Sequence, residues 1–264
     1  MRQVLQGRDI KATHENITVR CPSCGRENIF NRASNLKGVL HPIDYLEVSC
    51  LFADCASPFY LSGDVINSAY EMLIYDCYEL LVRKHYSYCI LNLAQAFEAF
   101  FGQYLRVELL YKAFVADLRK REGDIEKLND LLELLHWKIE KLPFNRMRHL
   151  FLCQVLHPPQ PSSLRQAEGV INTLPCKAKL VLPSNDEIRN AAIFTDKRVP
   201  DLLVRLISCN VSKLRNQVVH KNAYRPTLDE VNDALKETRE ILFPLGQLLD
   251  VRFNDLNWYV QPRI

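Results

Sequence analysis

The chain has 264 residues, of which 48% are hydrophobic and 25% charged, with a net charge of +3 at neutral pH. That balance excludes wholesale disorder and leaves room for one large domain or a small one beside a larger one. Charge interrupts the apolar runs well short of the roughly 18 residues a membrane span needs. Met1–Asp9 also lacks the apolar core of a signal peptide, so the expectation is a cytoplasmic protein with no membrane contact.

Residues 1–63 alternate short β-like pieces with turns: Asn16–Arg20, Asn28–Phe30, Leu46–Ser49 and Phe59–Leu61. Two of these pieces lead into a cysteine pair and two lead away from one. This is the layout of a zinc ribbon, in which hairpin tips present thiolates. The pairs are Cys21-x2-Cys24 and Cys50-x4-Cys55. Zinc takes four soft or borderline ligands at tetrahedral corners, and two short cysteine loops supply them. Pro22 stiffens the first knuckle, and Gly25 lets backbone amides face the sulfurs. The second knuckle is two residues longer than the first. The cofactor expected is a structural Zn²⁺, because four protein ligands leave no open position for chemistry. Two unrelated pairs of free thiols is the competing reading, and His41 is an alternative fourth ligand. Cys77, Cys89, Cys153, Cys176 and Cys209 lie mostly in apolar helical patterns and read as buried thiols serving as small hydrophobes.

Gly63-Asp64 marks a change of texture, and residues 64–264 read as a helical domain. Helices are expected over about 64–84, 87–120 and 124–155, with breaks near His85 and at Gly123. Pro143 should break or kink the third. Residues 157–199 read as an insert or loop, with five prolines between 157 and 185 and Lys177–Leu182 as a candidate short strand. One helix from about 200 to 221 should follow. Pro226 then forces a break, and Thr227-Leu228-Asp229-Glu230 has the spacing of a capping box that opens a last helix to about 250. The fold class expected is mainly α, a helical bundle preceded by a small β zinc ribbon.

Arg215-Asn216-Gln217-Val218-Val219-His220 ends the helix over 200–221. Asn216 and His220 are four residues apart and share a face. Arg215 is rotated about 140° from His220, within reach of its long side chain. Leu203, Ile207, Val211, Leu214 and Val218 form the core stripe. His220 projects to the other side, below Leu202, Leu206, Cys209, Lys213 and Asn216. That face begins apolar and ends polar, as for a helix whose end opens on a cleft or a partner subunit. A histidine in the last turn is favoured as imidazolium by the helix dipole. An arginine fork donates two hydrogen bonds to a phosphate and stays charged. Tyr224, just beyond, has the ring to stack on a base. Residues 197–225 carry seven basic side chains against Asp201 alone, so an anion-binding surface belongs here. The plain alternative is a histidine that only caps helix carbonyls.

Arg-Asn-x3-His on the penultimate long helix of an all-helical bundle resembles the signature of the HEPN superfamily, the higher eukaryotes and prokaryotes nucleotide-binding domains. The likeness spans roughly residues 64–264 in helical order, including the break and fresh helix after His220. The proline-rich insert and the attached ribbon depart from the superfamily pattern. The resemblance implies metal-independent endoribonuclease activity from a composite site across a homodimer, leaving 2′,3′-cyclic phosphate ends. Carried onto this chain, His220 is the general base or acid at the ribose 2′-hydroxyl and leaving oxygen. Arg215 holds the scissile phosphate, and Asn216 orients either. Such a protein would suit a toxin or phage-defence (antiviral) effector, with a protein partner or inhibitor as a further contact.

Glu98 lies on a stripe with Leu91, Ala94, Phe101 and Leu105. A buried carboxylate needs a partner, and Arg215 is the candidate. The other reading is a glutamate on a helix edge that reaches solvent. The runner-up function is a non-catalytic module that binds a nucleotide, RNA or protein, since some HEPN members do not cleave. A DNA-binding regulator fits poorly with the nearly balanced charge of residues 1–63. No Gly-rich phosphate loop, His-Glu-x-x-His or Gly-x-Ser-x-Gly is present. The basic clusters Arg119–Arg121 and Arg146–His149 read as solvated helix faces.

Overall fold

The structure, a computed structural model, describes residues 15–31, 46–61, 66–120, 124–174, 182–221 and 224–251. It is mainly helical, with small antiparallel sheets at its N-terminal end. Strands β1 (Glu15–Arg20) and β2 (Glu27–Asn31) form one hairpin, with Ile17 opposite Phe30. Strands β3 (Leu46–Ser49) and β4 (Pro58–Leu61) form the other, with Val48 opposite Phe59. Burial alternates along β4, where Phe59 and Leu61 point inward and Pro58 and Tyr60 outward. Phe30 and Phe59 meet edge to face at 6.1 Å and, with Leu61, Cys21 and Cys50, make a small core of their own.

A fifth strand, β5 (Ile66–Ser68), pairs with β1 and carries the sheet past Gly63. Three residues are too few to leave a period in the sequence. β5 runs without a loop into α1 (Ala69–Val82), and Glu71 accepts the Ser68 amide at 3.1 Å.

The helical core is built on α2 (Tyr86–Arg106). A π-helical turn at Val107–Tyr111 joins it to α3 (Lys112–Arg119), so the expected helix over 87–120 is one continuous helical run. Every residue from Phe100 to Tyr111 is buried, which makes this run the spine of the bundle. Its rings pack with those of α5 (Phe144–Leu156): Phe101 stacks on Phe151 at 4.8 Å, and Phe97 meets Phe144 edge-on. The chain breaks at Arg83–His85 and at Pro143, as expected, the latter separating α4 (Ile125–Ile139) from α5. α10 (Leu228–Leu248) opens on the expected capping box, with Glu230 taking the Thr227 amide at 2.8 Å and returning its own to Oγ1 at 3.2 Å. Cys77, Cys89 and Cys209 are buried and Cys153 half-buried; Cys176 lies outside the described residues.

Two expectations need correction. The segment 157–199 is not simply an insert or loop, since it contains α6 (Leu164–Thr173) and α7 (Asn185–Arg189). Leu164, Ala167 and Ile171 of α6 are buried at helical spacing, and Asp117 of α3 accepts the Leu164 amide at 2.8 Å. The surrounding prolines masked this ten-residue helix in the sequence. The candidate strand Lys177–Leu182 lies almost wholly outside the described residues.

The single helix expected over 200–221 is two, α8 (Arg198–Ser208) and α9 (Val211–His220). Cys209 between them is extended, with ψ 132°. Ser208 and Asn210 are poor helix-interior residues, because short polar side chains compete for nearby backbone groups. Ser208 Oγ donates to the carbonyls of Val204 and Arg205. The freed backbone is met from other helices. Arg148 of α5 donates to the Ile207 carbonyl at 3.1 Å, and Glu237 of α10 accepts the Asn210 amide at 3.3 Å. The inward stripe survives the break: Leu203, Val211 and Leu214 are buried, and Ile207 and Val218 pack against the core. Among the described residues, no helix is long and apolar enough to cross a membrane.

Candidate functional site

The two hairpin tips bring Cys21, Cys24, Cys50 and Cys55 together with all four Sγ atoms within 4.8 Å of one another. Cys21 and Cys55 are 3.8 Å apart across the knuckles, as are Cys24 and Cys50. A tetrahedron of thiolates about 2.3 Å from a Zn²⁺ has edges of about 3.8 Å, so this cluster has the size to hold a metal ion. His41 lies outside the described residues.

The turn geometry that builds the cluster is repeated. In the first knuckle the Cys21 carbonyl accepts the Gly25 amide at 2.8 Å, with Gly25 at φ 70°. In the second, the Phe52 carbonyl accepts the Ala56 amide at 2.9 Å, with Ala56 at φ 45°. The residue after each knuckle's last cysteine is therefore left-handed.

Two side chains bind the knuckles to each other. Asn28, 1% exposed, donates from Nδ2 to the Arg26 carbonyl at 3.0 Å and accepts the Leu51 amide at 2.6 Å. Arg26 donates from Nε to Cys24 Sγ at 3.4 Å and from Nη2 to Asp54 at 2.7 Å, with its guanidinium over the Phe52 ring. The Arg26 hydrogen bond pulls the Cys24 thiol down to about 6, which favours the thiolate that a metal needs. Burial pushes Cys50 the other way, to about 11.

The second constellation sits on α9. Arg215 is half-buried, while Asn216 and His220 are exposed. Arg215 Nη1 donates to Asn216 Oδ1 at 3.2 Å. α9 packs on α2, which presents half-buried Glu98 toward it. Burial raises the Glu98 carboxyl above its ordinary value, and the Arg215 charge opposes that shift. Glu98 and Arg215 are thus electrostatic neighbours, though among the described residues no hydrogen bond or ion pair joins them directly. Tyr224 packs its ring on the core and donates to Glu230 at 2.8 Å, which ties it to the α10 cap. Burial and the Glu230 carboxylate push its phenol to about 12.

Of the seven cations between 197 and 225, Arg198 is paired with Asp196 and Arg205 with Glu240. Lys213, Arg215, Lys221 and Arg225 have no carboxylate partner among the described residues. An exposed imidazole, an amide one turn away and unpaired cations can together hold an anion and move a proton beside it.

Several supporting residues have no local signature in the sequence. Asn28 carried no signal, being one polar residue of a strand. Arg148, in a cluster that reads as a solvated helix face, instead ends α8 and also reaches Asn145 Oδ1 at 3.3 Å, which accepts Ser212 of α9 at 3.3 Å. Only the break at Cys209 gives Arg148 that role. Comparison with protein-family models, with curated proteins and with solved structures gives no match.

Proposed function

We propose that this chain is a metal-independent endoribonuclease of the HEPN type, with a structural Zn²⁺ held by Cys21, Cys24, Cys50 and Cys55. The observation that carries the nuclease reading is the end of α9. There Arg215 touches Asn216, the Arg215 charge is felt by Glu98, and His220 stands exposed one turn on. Phosphate binding alone requires no titratable imidazole, whereas RNA cleavage does.

In this reading the imidazole of His220 takes the proton of the ribose 2′-hydroxyl, or gives one to the leaving 5′-oxygen. The 2′-oxygen bonds to phosphorus as the phosphorus–5′-oxygen bond breaks, leaving a 2′,3′-cyclic phosphate. Arg215 carries the charge that builds on the phosphoryl oxygens, and Asn216 holds its guanidinium in place. Glu98 is a positioning residue behind Arg215. The reading includes a homodimer in which two α9 ends meet, and the exposed Asn216, Val219 and His220 leave those ends accessible. Zn²⁺, when bound, crosslinks the two knuckles and supplies folding free energy.

The test is cleavage of a mixed RNA pool in EDTA by wild type and by His220→Ala, after zinc content and folding have been verified. Cleavage by wild type alone, with cyclic-phosphate ends, is the expected result. Intact RNA with both proteins would overturn the nuclease reading in favour of a non-catalytic RNA-, nucleotide- or protein-binding module.

A further inference from the structure

We infer that Cys77 and Cys89 are a redox pair that closes to a disulfide, stapling α1 to α2, when a low-mass disulfide such as glutathione disulfide is the oxidant. This inference does not rest on the nuclease reading.

The two cysteines are 12 residues apart in the chain and meet where α1 packs on α2, beyond the turn Arg83–His85. Both are fully buried. Cys77 Sγ lies 3.6 Å from the Cys89 carbonyl oxygen, and Cys89 Sγ lies 3.8 Å from the Cys77 carbonyl oxygen. Each thiol thus reaches the other residue's backbone, which sets the two directly opposite, as a disulfide requires. The thiols also act on each other. Contact with Cys77 pulls the Cys89 thiol below its ordinary value, and contact with Cys89, then burial, pushes Cys77 above its own. Cys153 and Cys209, the other described cysteines outside the knuckles, are raised by burial and touch no second sulfur among the described residues.

Entry is through the start of α2. Cys89 lies in its first turn, where its amide donates to the His85 carbonyl at 3.1 Å. His85 supplies no side-chain cap, and Arg83, Lys84 and His85 are all exposed. Helix ends open more readily than helix middles, so unwinding this one turn bares Cys89 without unfolding the bundle. The amides of a helix start also favour a thiolate over a thiol. The Cys89 thiolate attacks one sulfur of glutathione disulfide, forming a mixed disulfide and releasing one glutathione thiolate. Cys77, as thiolate, then attacks Cys89 Sγ and displaces the second glutathione. The two protein thiols lose two electrons and two protons, and the glutathione disulfide takes them up as two glutathione thiols.

The bond would fasten a junction of the fold. β5 runs without a loop into α1 and pairs with β1, so α1 carries the sheet's edge strand onto the bundle, while α2 is the bundle's spine. Joining Cys77 to Cys89 closes a short loop around the uncapped start of α2 and narrows the unfolded ensemble. Oxidation therefore strengthens the α1–α2 contact, and reduction restores it to packing alone.

The experiment equilibrates the full zinc-loaded chain in glutathione buffers of rising disulfide share, quenches it in acid, blocks free thiols and maps tryptic peptides by mass. Trypsin cuts after Arg83 and Lys84, so the two cysteines leave on separate peptides unless a disulfide joins them. The expected result is a joined Cys77–Cys89 species that grows with the disulfide share and disappears in dithiothreitol. Oxidation should also raise the melting midpoint of wild type by about 5 °C, with no such rise in Cys77→Ala or Cys89→Ala. The mapping uses wild type alone, so it decides the matter even where a variant folds poorly. Both cysteines recovered as free thiols or only as glutathione adducts, even in glutathione disulfide alone, would overturn the pair. So would a joined species that forms only after unfolding in urea.

Discussion

Asn28 is the sharpest test of how the cysteine cluster is held. Replacing it with alanine removes two hydrogen bonds, one to the Arg26 carbonyl within the first hairpin and one from the Leu51 amide that joins the two knuckles. The Arg26 carbonyl keeps its bond from the Cys21 amide at 2.9 Å, so its loss is partial. The Leu51 amide loses its partner, but Leu51 is 51% exposed and water can reach it. Both terms fall at the low end of the range for a broken buried hydrogen bond, about 1 kcal/mol each. The sum, about 2 kcal/mol, corresponds to roughly thirtyfold in a binding constant. Because cluster geometry and ion binding are coupled, most of this should appear in zinc affinity, within the ten- to hundredfold typical of outer-shell partners. Competition against a chromophoric chelator measures it. An Asn28→Ala protein that binds zinc within about threefold of wild type would refute the reasoning, because the ion and the Arg26–Asp54 pair would then hold the knuckles without Asn28.

Ala56 occupies a left-handed position at φ 45°, which costs an L-residue about 1–2 kcal/mol, while glycine loses about 0.5–1 kcal/mol in unfolded-chain entropy. Ala56→Gly should therefore stabilise the ribbon modestly, seen as slower zinc loss in chelator or a raised melting midpoint. Gly246→Ala should do the reverse, since a Cβ there would collide with the hydroxyl of Tyr70, itself 1% exposed. A loss of about 1–3 kcal/mol in denaturant titration is expected for such overpacking. For Glu98 the sign runs against the usual carboxylate case. Its folded-state value is raised, so its favourable contribution is present below the ordinary value of 4.5 and is lost as pH rises through the folded value. Glu98→Gln should match wild type in stability near pH 4 and exceed it at pH 7, while RNA cleavage falls. A variant less stable than wild type at pH 7 would show that the Arg215 charge outweighs burial.

The knuckles were readable because ligand type and spacing state a local rule. Two cysteines two or four residues apart at hairpin tips need little else to be recognised, and the breaks at Pro143 and Pro226 are local in the same sense. α6 was hidden because proline counts describe a segment's edges better than its middle. Leu164, Ala167 and Ile171 keep helical spacing between those edges, and their burial against the core decides the outcome.

The elbow between α8 and α9 marks the limit of such reading. Helical periodicity continues across Cys209, since Leu203, Ile207, Val211, Leu214 and Val218 all face the core on one apparent helix. The break becomes favourable only when Arg148, from about sixty residues earlier, meets the Ile207 carbonyl and Glu237, from later in the chain, meets the Asn210 amide. Its consequence is local to the proposed chemistry. α9 is a ten-residue helix fixed at its start by Ser212 on Asn145 and exposed at His220. Residues 215–220 therefore share one short rigid element whose direction is set by α5 and α10 rather than by α8. The choice of residues at the candidate site is written in the sequence, and their aim is set by tertiary contacts that no local pattern contains.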